Sequence, residues 1–315
     1  MKKNIFAFTA LACAIVWTAC ERIEQTPTPD EPVDPVEGVE EGTDWIVTIR
    51  AEKAETPQTK GLDIEGADEG TTTLLKSIWK DGEQVHVYLG ADCIGELTVT
   101  ADGDNPHKAT LSGTVNCSNI IEGTTRLDLL TPRETWDYTG QTGTLLLSDD
   151  AANSIEKKYH YTLASSVLVT KVEGNAVTTE SATFRNQQSI YRLSFRYNDG
   201  VSKTPISTKS VSISGASGKL VQSQVMGSTA VLGDISVTLE SASTDPLFVA
   251  LRNEDQTNEE ILTFLVVDDN GVTYHGTKTI PAAYKPNGTF VSIKNASLPD
   301  RLDVALSDTP VNSVL

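Results

Sequence analysis

The sequence predicts an all-β protein with two successive antiparallel β-sandwich domains, and three observations carry this prediction. After residue 45, large apolar residues alternate with polar ones, which is the period of a half-buried strand. Turn signals such as Asn270-Gly271 separate these runs at regular intervals. The best helix pattern covers only residues 151–158, about two turns. Many short strands with frequent turns are typical of sandwiches or barrels.

Length and charge narrow the class of protein further. The chain has 315 residues, which is enough for about two domains. It carries 43 acidic and 25 basic residues, a formal net charge of −18. This charge argues against a nucleic-acid partner, because phosphate backbones are bound by clustered lysines and arginines. It also argues against electrostatic docking on anionic lipid.

The N-terminus predicts an export signal over residues 1–19. Lys2 and Lys3 precede an uncharged apolar run over residues 5–17, which is too short to span a bilayer. The run ends in VWTAC at residues 16–20, which resembles a bacterial lipobox, although Trp17 replaces the usual leucine. We therefore expect lipidation of Cys20 and anchoring in outer-membrane lipid as a surface-exposed lipoprotein. Two alternatives are a lipobox ending at Cys13 and an ordinary cleavage site at residues 12–14, which would release the protein.

An acidic, proline-rich stretch follows over residues 20–44. It contains one base, Arg22, and almost no large apolar residue. Such a composition cannot bury a core and stays extended in solvent. We interpret it as a disordered tether behind the lipid, the alternative being a leader remnant without function.

The body is predicted as two sandwiches, at residues 45–198 and 206–298, joined by a linker at 199–205 that contains Gly200 and Pro205. The clearest strand of the first domain covers residues 191–197, where Tyr191, Leu193 and Phe195 share one face. The strongest hairpin signal lies in the second domain, where Asp269-Asn270-Gly271 separates two apolar runs.

Cys93 and Cys117 flank a predicted hairpin in the first domain. If its turn centres on Asn105, Val99 faces Leu111 and the two cysteines face each other on the same side of the hairpin. Directly opposed residues have Cα atoms about 4.5–5.5 Å apart, inside the range of a disulfide. Because the export compartment permits oxidation, we predict a Cys93–Cys117 disulfide. The alternative is two free thiols in the core.

The sequence offers no constellation for catalysis, cofactor binding or metal binding. The histidines are scattered, and none has metal-ligand spacing to another His or Cys: His86, His107, His160 and His275. There is no G-x-S-x-G elbow, and the acidic turns lack the downstream glutamate of a calcium loop. We therefore expect no enzyme activity, no cofactor and no metal.

The C-terminal tail, residues 299–315, follows the last strand that the sequence predicts for the second sandwich. Leu302, Val304 and Leu306 alternate with Asp303 and Ala305. Alternating large residues suit a donated strand that fills successive pockets of a neighbour's groove. The alternative is a last edge strand within the same chain.

The order of several motifs resembles the fimbrillin family of Bacteroidales, the type V pilins and their relatives. TKG at residues 59–61 precedes IWKDGEQVHVY at residues 78–88, as in the family's region around W-x-x-G-D, with Glu83 in place of the usual Asp. ATLSG at residues 109–113 resembles the A-x-F-S-G strand. The runs at 262–272 and 287–293 resemble the paired and closing strands of the family's second domain. We expect transthyretin-like or immunoglobulin-like sandwiches.

The resemblance implies a structural or accessory subunit of surface fimbriae that contributes to adhesion. Its partners would be other fimbrial subunits and a host or bacterial surface ligand. In many family members a protease cuts after an Arg or Lys near the first strand, and a strand from another subunit fills the groove so formed. Arg50, Lys53 and Lys60 are candidate cut sites, the alternative being three ordinary surface bases.

Two other functions compete. The first is a surface-exposed glycan-binding lipoprotein, although aromatics are only 6% of the chain. After the leader, the tryptophans available for stacking on sugars are few: Trp45, Trp79 and Trp136. The second is a β-sandwich hydrolase, for which the sequence shows no constellation.

Overall fold

The structure is a computed structural model, and it describes residues 42–54, 78–142, 154–198, 203–255, 257–280, 282, 290–291 and 302–306. Residues 41–315 form one compact unit. The predicted signal peptide, nearly all of the tether and the lipidation site Cys20 lie outside the described residues. Within the described ranges, no helix combines the length and the apolar character that crossing a membrane requires.

Strands dominate the described residues, which confirms the all-β prediction. The only α-helix among them, α1 (Ile155–Lys158), lies inside the predicted helical segment, and the Ser154 side chain accepts a hydrogen bond from the Lys157 N–H at 3.3 Å. The strands in chain order are β1 (Thr43–Lys53), β2 (Gln84–Leu89), β3 (Asp92–Ala101), β4 (Lys108–Cys117), β5 (Arg126–Thr131), β6 (Trp136–Asp137), β7 (Gln141–Thr142), β8 (Thr162–Glu173), β9 (Ala176–Thr179), β10 (Ala182–Asn186), β11 (Ser189–Asn198), β12 (Lys203–Pro205), β13 (Thr208–Gly215), β14 (Val221–Gln224), β15 (Val231–Leu232), β16 (Ile235–Ser243), β17 (Leu247–Leu251), β18 (Glu260–Asp268), β19 (Thr273–Ile280), β20 (Phe290–Val291) and β21 (Leu302–Leu306).

The first sheet closes on itself. Its strands run in the order β1-β4-β3-β2-β5-β8, and both β9 and β10 bridge β8 back to β1. Because β9 and β10 occupy successive halves of the same position, the result is a barrel with seven strand positions. A closed sheet has no free edge, so every long strand of the barrel is paired on both sides.

The first half of the chain thus differs from the predicted sandwich, which would have two facing sheets. The alternation is as predicted in β1 and β4, which bury every second residue, and the inward side chains of the barrel form one core. Closure arises from parallel pairing of β1 with β9 and β10. These contacts join residues more than 120 positions apart, such as Val47 and Val177, so local sequence patterns do not predict them.

The remaining strands form sheets around a second core. One sheet has the order β19-β18-β13-β16-β7, and another has β12-β11-β17 with β20 and β21 also on β11. Buried residues of both sheets belong to one cluster, in which the rings of Phe195 and Phe264 lie 5.8 Å apart. The predicted hairpin is present: β18 and β19 pair around Asp269-Asn270-Gly271, and Gly271 takes a φ of +79°.

The chain passes from the barrel to the second set of sheets between β10 and β11, whereas the predicted boundary lay after residue 198. Strand β10 belongs to the barrel, whereas β11 already pairs with β17. The segment between β5 and β8 also crosses over, since β6 pairs with β14 and β7 pairs with β16. Trp136 and Tyr138 of this segment are buried in the second core. Sheet membership depends on such long-range pairs, which strand periodicity does not reveal.

Candidate functional site

Strand β1 closes the barrel and is the first described strand of the chain. It pairs antiparallel with β4 over ten positions, from Thr43↔Cys117 to Glu52↔Lys108. On its other side it pairs parallel with β9 over residues 46–48 and with β10 over residues 51–53. The second seam is interrupted at residues 49–50, because β9 ends at Thr179 and β10 begins at Ala182.

The inward face of β1 fills the barrel core. Val47 and Ile49 have no exposed surface, and Trp45 and Ala51 are buried beside them. The Trp45 indole N–H donates to the Cys117 carbonyl oxygen at 3.2 Å, which fixes the start of the strand to β4. Complete burial of a Val or Ile side chain contributes about 1.5–3 kcal/mol. Removal of β1 would therefore leave a row of apolar pockets and two unpaired strand edges.

Lys53 ends the same inward face and is buried. Its Nζ donates to the carbonyl oxygen of Ile78, lies 3.7 Å from Glu83 Oε2 and sits 4.2 Å from the centre of the Trp79 ring. These contacts join the end of β1 to the segment that enters β2. A protease that cuts after lysine must take this side chain into its own pocket, so Lys53 is a poor cut site in the folded protein.

The other candidate cut sites differ from Lys53. Arg50 is exposed, but its backbone lies in the middle of β1 opposite Thr110 of β4. Lys60 lies outside the described residues. It falls between β1 and β2, so a cut there would separate the whole of β1 from the rest of the barrel.

The tail strand β21 lies beside β11. It pairs parallel with β11 over five positions, from Leu193↔Leu302 to Tyr197↔Leu306, with Phe195↔Val304 in the middle. This is the arrangement of the alternative in which the tail is a last strand of its own chain. Parallel pairs are slightly less stable per residue than antiparallel ones, and β21 has half as many as β1 has with β4.

The predicted Cys93–Cys117 disulfide is absent from the structure, in which both residues are free thiols. The predicted register is present over most of the hairpin, with Val99↔Leu111 and Gly95↔Val115. However, the pairing of β2 with β3 shifts between Val87 and Tyr88, which leaves Ile94 as an extra residue. Such a bulge turns the residue before it, Cys93, to the other face of the strand. Cys117 is accordingly buried in the barrel core, whereas Cys93 is exposed.

Gly95 makes the bulge sterically feasible. Its φ is +154°, and a Cβ at this position would lie 2.9 Å from the Thr114 carbonyl oxygen. Any larger residue would push β3 away from β4 at this point.

The bulge also brings together a set of side chains that sequence spacing did not reveal. His86 of β2, Cys93 of β3 and Glu134 of the β5–β6 segment place one ligand atom each within 4.8 Å of one another. No predicted site included this group, since the three residues lie in three separate segments with no recognisable spacing. Burial raises the pKa of the Cys93 thiol, and the Glu134 and Glu96 carboxylates raise it further.

The three tryptophans considered for sugar stacking are all buried. Trp45 lies in the barrel wall, Trp79 packs edge-on against Phe184 at 4.9 Å, and Trp136 belongs to the second core. None of them offers an open ring face to solvent, so they give no support to the glycan-binding alternative.

Comparison with known proteins gives matches only among solved structures. No family profile matches the sequence, and no curated protein matches it. A fimbrial protein from Bacteroides ovatus is 12% identical with a TM-score of 0.31, over 80% of this chain and 48% of that one. The present chain thus spans about half the length of that protein.

Two further solved structures are similar over most of both chains. A candidate cell adhesion protein from Bacteroides fragilis is 13% identical with a TM-score of 0.39, over 84% of this chain and 97% of that one. A candidate adhesin from Bacteroides ovatus is 10% identical with a TM-score of 0.34, over 84% and 94%. Because all these TM-scores lie below 0.5, they do not assign a function.

Proposed function

We propose that this chain is a structural or accessory subunit of a cell-surface fimbria that assembles by exchange of β-strands between subunits and contributes to adhesion. The observation that carries the proposal is strand β1, whose inward residues Val47 and Ile49 are fully buried and whose two edges are both paired. In the proposal, β1 fills the barrel before assembly and is replaced afterwards by a strand of a neighbouring subunit.

The export and anchoring steps of the proposal rest on the sequence. A lipid on Cys20 would hold the new chain at the outer membrane, and the acidic tether would hold its body away from the surface. A cut at Lys60 would then separate β1, together with the tether and the lipid, from the barrel. Arg50 and Lys53 fit this step less well, because both lie within the paired strand.

The replacing strand needs large apolar residues at every second position, because β1 fills the core with Trp45, Val47 and Ile49. The tail offers the same alternation at Leu302, Val304 and Leu306. In this proposal β21 leaves β11 in one subunit and enters the barrel of the next. On β11 the tail makes five parallel pairs, whereas β4 offers antiparallel pairing, which is slightly more stable per residue.

N-terminal sequencing of the protein recovered from the cell surface tests the cut. The proposal expects polymeric material, seen as a ladder that resists SDS, to begin at Gly61, and Lys60→Ala to abolish both the new terminus and the ladder. Lys80→Ala, which changes another lysine of the same β1–β2 connection, close to the start of β2, is the matched control and should keep both. Polymers that retain Trp45 would contradict the replacement of β1.

Truncation after Leu298 tests the donor. The truncated subunit should still fold and still be cut, but it should no longer join polymers. If the truncated protein polymerises as the full chain does, another segment is the donor. If it fails to fold, the tail is an intramolecular strand, as in the alternative interpretation.

A further inference from the structure

The outer face of the barrel carries a cluster of metal-ligating side chains that strand exchange does not use. His86 and Tyr88 lie on the same face of β2, opposite Glu96 and Cys93 of β3 respectively. Glu96 and Cys93 are three positions apart and would lie on opposite faces of a regular strand. The extra residue Ile94 puts both of them beside His86.

The loop between β5 and β6 completes the cluster. Its Glu134 is held in place because the Tyr88 hydroxyl donates a hydrogen bond to the Glu134 carbonyl oxygen. The carboxylate, the Cys93 sulfur and a ring nitrogen of His86 all lie within 4.8 Å of one another. Three segments of the chain thus converge on one point with one nitrogen, one sulfur and one oxygen ligand.

His86 provides an independent sign that this point accepts a ligand. The residue is only 8% exposed, and its Nδ1 is buried without a hydrogen-bond partner. The nearest charged atom is Glu96 Oε1 at 3.4 Å, without the geometry of a hydrogen bond. A buried polar atom left without a partner destabilises the folded state, and a bound cation would remove this cost.

We propose that His86, Cys93, Glu96 and Glu134 bind one zinc ion. Tetrahedral zinc with bonds of about 2.0–2.3 Å places its ligand atoms about 3.3–3.8 Å apart. The distance between His86 Nδ1 and Glu96 Oε1 is 3.4 Å, which already lies in this range. The ligand atoms of His86, Cys93 and Glu134 lie within 4.8 Å of one another and need to close by about 1 Å, and Cys93 and Glu134 are exposed and able to move. Glu96 joins this group through its contact with His86.

The ligand chemistry selects zinc over other common cations. Calcium and magnesium prefer all-oxygen sites, whereas a mixed set of imidazole, thiolate and carboxylate is typical of zinc. The Glu96 and Glu134 carboxylates also place negative charge close to His86 and Cys93, which favours a cation at this point. With four protein ligands the site is closed, so its role is structural: it joins β2, β3 and the β5–β6 loop.

Cobalt absorption tests the site directly, because a thiolate ligand gives Co²⁺ a charge-transfer band. The probe is Co²⁺ added to the reduced full chain carrying Cys13→Ser and Cys20→Ser, which leaves Cys93 and Cys117 as its thiols. We expect the band to saturate at one equivalent of Co²⁺ and to disappear when one equivalent of Zn²⁺ is added. A protein that gives no thiolate band contradicts the proposal.

Two variants in this background identify the ligands. Cys93→Ser should abolish the band, whereas the matched control Cys117→Ser should keep it. Glu134 is an exposed loop residue, so the Glu134→Gln variant should fold as the parent does. It should weaken Co²⁺ binding by more than about 10-fold. Loss of the band in Cys117→Ser, or unchanged binding in Glu134→Gln, would place the metal elsewhere and overturn the assignment.

Discussion

Strand β1 contains two isoleucines that test its orientation in the barrel. Ile49 has no exposed surface, whereas 51% of Ile46 is exposed on the opposite face of the same strand. Truncation of a fully buried isoleucine to alanine costs about 2–5 kcal/mol, through lost apolar contact and the cavity that remains. For a domain of this size the melting temperature should fall by roughly 4–20 °C. Urea denaturation and thermal melts of Ile49→Ala measure both values.

Ile46→Ala is the matched control, because it makes the same chemical change in the same strand. It removes little buried surface, so its cost should stay below about 1 kcal/mol, the range of strand propensity alone. Equal losses in the two variants would show that β1 does not present residues 45, 47 and 49 to the core. The row of pockets that a donated strand should fill would then not exist.

Three further predictions concern single side chains. Burial, and then the charge of Lys53, lowers the pKa of His160 from 6.5 to about 3. As the pH falls below 6.5, His160 therefore takes up a proton in the unfolded chain but not in the folded chain. The free energy of unfolding then falls toward pH 3 by at most about 1.4 kcal/mol per pH unit. His160→Gln should remove this part of the pH dependence in urea titrations, and an identical slope in both proteins would contradict it. Cys20→Ala should move the protein from the detergent-soluble membrane fraction to the soluble fraction, and unchanged mass and membrane retention would refute lipidation at this residue. In the folded, metal-free protein, exposed Cys93 should be alkylated faster than buried Cys117. Both thiols should react in the denatured protein without a reductant. If they react only after reduction, the two cysteines form a disulfide and the free-thiol assignment is wrong.

Local pairing could be predicted from the sequence. The register of β3 with β4, with Val99 opposite Leu111, follows from the position of one turn, because a hairpin register depends only on neighbouring residues. The β18–β19 hairpin follows in the same way from Asn270-Gly271. The prediction failed at Ile94, because a single extra residue reverses the facing of Cys93 and leaves the strand pattern on either side intact.

Long-range closure could not be predicted in the same way. The parallel pairing of β1 with β9 and β10 joins the start of the body to residues far along the chain, and alternation is the same in a barrel and in a sandwich. The metal-ligating cluster was hidden for a related reason. His86, Cys93 and Glu134 become neighbours only through a bulge and a loop that folds back over β2.

The most direct test of strand exchange is to cut the purified protein between β1 and β2 at an introduced protease site and to add a synthetic peptide of residues 299–315. Hydrogen exchange then follows the amides of β4 (Lys108–Cys117), which pair with β1 in the uncut protein. The account predicts that the β1 fragment leaves, the added peptide binds in its place and the β4 amides stay protected. A peptide with Leu302, Val304 and Leu306 changed to Ser should not bind. A cut protein that keeps its own β1 fragment in the presence of excess peptide would contradict strand exchange at this barrel.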